Sequence, residues 1–171
     1  MTLPRHHGFT LIELMAGLAI MFILLALAVP SFRELSARNQ LSAATNDLLM
    51  GLQLARSEAV RHATRMTLCP STDEDTCTKD TPWSVGWILF HDPNDNASRD
   101  KDEKDERLIQ VFPPLPDSVE VSGPAAITYA SAGNVKTSVQ LAVAQSGSKE
   151  ARCIRVISSG SISMEKAACG D

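Results

Sequence analysis

A chain of 171 residues, 44% hydrophobic, has room for one modest domain and an appended segment. Its formal charge of -4 and pI of about 5.5 leave no overall basic surface, so net charge does not favour non-specific nucleic-acid binding. Aromatic residues, at 5%, are too sparse for a platform on which single strands stack.

The N-terminus carries the strongest pattern. Arg5, His6 and His7 precede Gly8, and the 21 residues from Phe9 to Val29 then hold a single charge, Glu13. As a helix this run spans about 30 Å, the thickness of a bilayer hydrocarbon core. A secretory signal peptide places its small-residue cleavage site after the apolar stretch. Here the small residue comes before it, and Pro30 leads into further helical sequence. The segment therefore reads as a retained membrane anchor. A carboxylate within such a run costs ~3 kcal/mol on insertion scales, so Glu13 is expected to have a task.

Gly8-Phe9-Thr10-Leu11-Ile12-Glu13, with its short basic leader and the apolar run behind it, resembles the class III signal of type IV pilins and type II secretion pseudopilins. The resemblance implies that a prepilin peptidase cuts between Gly8 and Phe9 and that Phe9 becomes the N-methylated end. It also gives Glu13 a partner: in a fibre, the carboxylate of one subunit meets the charged amino terminus of its neighbour. Mismatching such a buried pair costs ~3–5 kcal/mol, so it acts as a register device for assembly. In the first helical turns, the macrodipole favours a negative charge as well.

Beyond Pro30 the helical period continues. Leu41, Ala44, Leu48, Leu52, Ala55 and Ala59 form one apolar stripe, and Arg38, Asp47, Arg56, Glu58 and Arg61 leave the other faces polar. One helix from Phe9 to about Thr64, bent at Pro30, is predicted, its second half packing on a globular head.

The remaining sequence consists of short β-type runs: RMTLCP, WSVGWILFHD, RLIQVF, SVEVSG, AITYA, SVQLAVA, RCIRVIS and SISME, separated by Pro, Gly, Asn and Asp. They predict an antiparallel sheet against the helix stripe, in an α+β fold. Neither an internal repeat nor a linker to a second domain is visible.

Four cysteines allow three connectivities, and spacing alone does not choose among them. Local pairs, Cys69–Cys77 and Cys153–Cys169, are favoured because each brackets a loop-like stretch. The second would close about fifteen residues, worth ~3 kcal/mol in the chain-entropy model. A four-Cys zinc site lacks the close CxxC pairs it would need. The disulfide reading places the head in an oxidising compartment.

Asp92, Asn94, Asn96 and Glu103 match the first, third, fifth and twelfth positions of a calcium-loop pattern, but Ala97 stands where the pattern requires Gly. The flanking runs read as strands, so a solvated acidic hairpin loop is expected and no metal is assigned. His62 and His91 have no Ser or Cys pattern beside them and read as surface residues. No phosphate-cradling glycine motif is present, no cofactor is implied and an enzyme is not expected. Trp83 and Trp87 flank a strand start, a core or rim position, with an interface hot spot as the sharper alternative.

Over nearly its whole length the chain is similar to the GspH/FimT/FimU group of minor pilins and pseudopilins. The resemblance is carried by LQLARSEAVRHATRMTLCP, GWILFHDPNDN and CIRVISSGSIS. It implies a type IV pilin-like fold with a leader over 1–8, a membrane and fibre-core helix over 9–30, and a head over 31–171. DNA-receptor members tend to carry a Gly-Arg-x-Arg turn near the C-terminus. The matching stretch here is Gly160-Ser161-Ile162-Ser163, which weakens a nucleic-acid role. A minor pilin of the FimU kind is expected. Such a subunit starts at the inner membrane with a periplasmic head and then joins other minor and major pilins near the tip of a surface fibre. A DNA-uptake pilin and a secretion pseudopilin are the rivals.

Overall fold

The computed structural model describes residues 11–79, 82–100, 102–148 and 150–170. The chain divides into two compact units, Met1–Ser36 and Ala37–Asp171, and the helix α1 (Leu11–His62) contributes to both.

In the first unit, α1 displays its apolar side chains to the surroundings: Leu11, Phe22 and Phe32 are each at least 70% exposed. Its most apolar window has a mean hydropathy of 2.6 and is long and apolar enough to cross a membrane. The cleavage pair Gly8 and Phe9, and the rest of residues 1–10, lie outside the described residues.

In the second unit, every member of the Leu/Ala stripe from Leu41 to Ala59 is buried, at 1% exposure or less. The helix closes two residues before the expected Thr64. Ala63 takes a left-handed φ of 50°, and the Thr64 N–H returns to the Ala59 carbonyl at 3.1 Å. Eight strands follow: β1 (Met66–Pro70), β2 (Trp87–His91), β3 (Leu108–Phe112), β4 (Val119–Ser122), β5 (Ile127–Tyr129), β6 (Val139–Gln145), β7 (Ala151–Val156) and β8 (Ile162–Glu165). Each falls on one of the eight β-type runs, with β6 and β7 passing the bounds of theirs by one residue, at Gln145 and Ala151. The start of the second run, Trp83–Val85, is a 3-10 turn instead of strand.

The expectation of one sheet is corrected. The strands form two four-stranded antiparallel sheets, ordered β3-β2-β1-β5 and β4-β6-β7-β8. After β3 the run Pro113-Pro114-Leu115-Pro116 offers a single backbone N–H, which Leu115 donates to the Ser84 carbonyl at 2.9 Å. Three prolines cannot extend a ladder, so the chain leaves the first sheet there and β4 opens a second one.

Both sheets turn one face to the helix stripe, and the shared core joins Leu48 and Leu52 to Trp87 and Phe112 of the first sheet and to Leu141 and Ile154 of the second. Burial alternates along β4, with Val119 and Val121 inward. It does not alternate along β1, where all five residues are buried. The outer face of the first sheet is covered as well: Cys69, Ile88 and Phe90 form a second buried cluster with Cys77, Leu108, Val111 and Ala126 against it. That second cover explains why MTLCP and WILF carry so little polar alternation.

Trp87 stacks on Phe112, with ring centroids 5.0 Å apart and planes 12° from parallel. It is admitted by Gly51 of the helix, where an added Cβ would stand 3.1 Å from Trp87 Nε1 and 3.3 Å from Phe112 Cζ. Trp83 is also buried, its Nε1 donating to the Pro124 carbonyl at 2.8 Å. Both indoles are therefore core, and neither is an exposed hot spot.

Candidate functional site

Two regions carry chemistry beyond packing: the apolar segment around Glu13 and the loops of the head. Glu13 lies in the first turn of α1, among the exposed Leu11, Ile12, Leu14 and Met15. An apolar surface of this extent needs a lipid or protein cover in water.

In the head, the disulfides are Cys69–Cys77 and Cys153–Cys169, with Cα atoms 5.5 and 4.9 Å apart. The first fixes a loop that reaches the acidic loop through a salt bridge from Arg99 to Asp75, and Arg99 also donates to the Asp75 carbonyl at 2.9 Å. The second ties the C-terminal stretch to β7.

The acidic loop joins β2 to β3 as expected, but it is not simply solvated. Asp92 is fully buried and Glu106 is 2% exposed. Asp92 accepts from Thr67 Oγ1 at 2.7 Å, from the Asn96 N–H at 3.2 Å and from the Ala97 N–H at 3.1 Å. Glu106 accepts from Asn94 Nδ2 at 2.7 Å and from the Asp100 N–H at 2.6 Å. The two carboxylates thus satisfy donors that turning the chain would otherwise leave without partners. Ala97 adopts φ 54°, the left-handed conformation the calcium-loop pattern assigns to Gly. Among the described residues no group of three or more His, Cys, Asp or Glu side chains is placed to hold a metal ion.

Two further corrections concern Glu58, read as a polar-face residue, and His91, read as a surface residue. Glu58 is only 8% exposed, with Arg61 Nη2 at 2.5 Å and His62 Nε2 at 3.3 Å from its carboxylate. His91 is half-buried, its Nδ1 lying 2.6 Å from the Asp105 carbonyl, so it belongs to the acidic loop's frame and is not a free surface group.

Arg56, likewise read as a polar-face residue, anchors two turns. Its Nε donates to the Gly133 carbonyl at 3.1 Å and its Nη2 to the Ser159 carbonyl at 3.2 Å. The Val135 N–H reaches the Ser158 carbonyl at 3.1 Å, so the two turns form one unit. This unit includes Gly160 and runs into Ser161. Beneath it lies Tyr129, fully buried, whose hydroxyl has no hydrogen-bond partner among the described residues. Burial pushes its pKa up from 10 to about 12, partly offset by the positive charge of Arg56.

Sequence reasoning took Asp92 only as a calcium-loop position and Arg56 only as a polar-face residue, and it missed Glu106 and Gly51. Only Gly51 left a signal: a glycine in a helix interior costs about 1 kcal/mol against alanine, which flags a close approach.

Comparison with known proteins places this geometry. The family model described as type II transport protein GspH matches residues 44–160, and the prokaryotic N-terminal methylation motif matches residues 3–29. A stretch of 45 residues is 51% identical to the type IV major pilin protein PilA of Myxococcus xanthus, covering 26% of this chain and 20% of that protein. A fimbrial protein of Pseudomonas aeruginosa is 32% identical over 85 residues, 50% of this chain and 51% of that protein. The chain thus spans about half the length of the fimbrial protein and a fifth of the Myxococcus pilin. In three dimensions it is similar to the type IV minor pilin FimU of Pseudomonas aeruginosa, with TM-score 0.58 and 19% identity over 75% of this chain and 90% of that one. It is also similar to the minor pseudopilin EpsH from the type 2 secretion system of Vibrio cholerae, with TM-score 0.53 and 12% identity over 74% and 97%.

Proposed function

The chain belongs to the GspH family of pilin-like proteins, and from that premise we propose that it is a minor type IV pilin, a non-enzymatic subunit that helps initiate assembly of the pilus near its tip. The observation that carries the reading is the exposed apolar helix with Glu13 near its start, joined to a disulfide-bonded α+β head.

In this reading a prepilin peptidase removes residues 1–8, and Phe9 becomes the methylated amino terminus. Residues 9–30 anchor the subunit in the inner membrane, with residues 31–171 as a periplasmic head, and later enter the fibre core. Two disulfides support an oxidising compartment for the head. The Glu13 carboxylate pairs with a neighbour's amino terminus and sets register. The partners are other minor and major pilins, and the outcome for the cell is a fibre for adhesion and twitching.

Mass spectrometry of the mature chain tests the processing step, which requires a first residue of N-methylated Phe9. The assembly step is tested by Glu13→Ala, which leaves membrane insertion intact and removes the subunit from sheared fibres; normal incorporation of the variant would sink it. The GspH family match favours a second reading, a minor pseudopilin of a type II secretion system. Co-purification with pilus subunits supports the first reading, and co-purification with secretion pseudopilins supports the second.

A further inference from the structure

Arg38, Arg152 and Lys166 line one open pocket of about 420 Å³, with Glu150 as the carboxylate among them and Leu41, Ala151 and Ala167 completing it. Two of the cations are held in place. Arg38 Nε lies 2.8 Å from Glu150 Oε1, and Arg152 Nη2 donates to Ser42 Oγ at 3.1 Å. Among the described residues that line it, three cations stand with one carboxylate, on a chain whose overall charge is -4. The pocket's position along the chain is equally specific. In sequence only eight residues separate Val29 from Arg38, and Arg33 is one of them. Basic side chains that close to the end of an apolar span meet the phosphates of a membrane surface.

We propose that this pocket takes the phosphodiester of an anionic glycerophospholipid, holding the head at the membrane surface before assembly. Arg152 and Arg38 present planar donors to the phosphate oxygens, Lys166 adds a point charge, and the apolar lining accepts the glycerol backbone. The inference rests on the membrane-anchored reading above.

The test uses the full chain in nanodiscs of phosphatidylcholine alone and of phosphatidylcholine mixed with phosphatidylglycerol. A water-soluble acylating reagent reports the accessibility of the Lys166 amine by mass spectrometry, with Lys79 and Lys136, outside the pocket, as internal standards. Labelling of Lys166 is expected to slow about three- to tenfold in the anionic discs, with the standards unchanged. High salt and Arg38→Gln are each expected to weaken that protection. Equal labelling in both discs overturns the proposal. Equal protection by inorganic phosphate in phosphatidylcholine discs would make the ligand free phosphate, and stronger protection by duplex DNA would make it a nucleic acid; each also overturns it. Co-elution of chain and disc is read separately, and a chain that fails to enter discs removes the anchoring reading itself.

Discussion

The α-carbon of Gly160 sits against the carbonyl of Gly133, so closely that an added Cβ would lie 1.8 Å from that oxygen. Gly160 also holds φ 78° and Gly133 holds φ 77°, conformations that L side chains rarely adopt. Gly160→Ala therefore forces the two turns apart and strands the Arg56 guanidinium from its carbonyls. Urea unfolding of the Ala37–Asp171 unit is expected to show a loss of about 2–4 kcal/mol. A change below 0.5 kcal/mol would mean that the turns separate without cost.

Gly51 makes the analogous close approach within the core. Gly51→Leu must displace Trp87 from its stack on Phe112, since the added Cβ already meets Trp87, Phe112 and Leu68 at 3.1 to 3.4 Å. Overpacking of this kind costs about 1–3 kcal/mol or more. Tryptophan fluorescence gives a second readout, because the Trp87 environment changes with the displacement.

Asp92→Ala leaves Thr67 Oγ1 and the N–H groups of Asn96 and Ala97 without their acceptor. A stability loss of about 2–3 kcal/mol is expected. Hydrogen exchange should quicken through residues 93–106 while the β6–β7 ladder stays protected. Uniform quickening throughout the head would show that the loop is not an independent frame.

Tyr129 links stability to alkaline pH. Its folded pKa, raised to about 12, exceeds the unfolded value of 10, so the neutral hydroxyl is the form the fold favours. That contribution is fully present below pH 10 and is lost as the pH climbs from 10 towards 12, amounting to about 2–3 kcal/mol. Tyr129→Phe removes a buried hydroxyl that has no partner among the described residues. It is expected to match or slightly exceed the parent in stability at pH 7 and to flatten its alkaline decline, as thermal melts at stepped pH would show.

Replacing Cys153 and Cys169 together by Ser opens the loop that holds the C-terminal stretch to β7. The expected cost is about 3 kcal/mol by chain entropy. Parallel melts of the oxidised parent and the double variant measure it. Equal midpoints would show that the stretch adds no constraint on the unfolded chain.

The stripe from Leu41 to Ala59 and the eight β-type runs were legible because periodicity reports which face is buried, and the structure buries those faces. The division into two sheets was not, because whether a strand returns to its own sheet depends on long-range pairing: β5 joins β1 across about sixty residues of chain. Polar residues were misread for a related reason. Asp92, Glu106 and Arg56 look like solvent-facing charges in sequence, and only the folded chain supplies the N–H groups and carbonyls that draw them inward. In the candidate assembly region the position is reversed: Glu13 stands out in the sequence by charge alone, as the lone ionisable side chain between Phe9 and Val29.

The lengths of the strands have a consequence for solubility. The outermost strands, β3, β4, β5 and β8, run to 5, 4, 3 and 4 residues, whereas β6 and β7 in the interior run to 7 and 6. An edge that short gives a stray strand little to zip onto, and the proline run closes off the end of β3. A head with such guarded rims can crowd beside many copies of itself without knitting into amyloid-like ribbons, which leaves association to side-chain surfaces and to the helix.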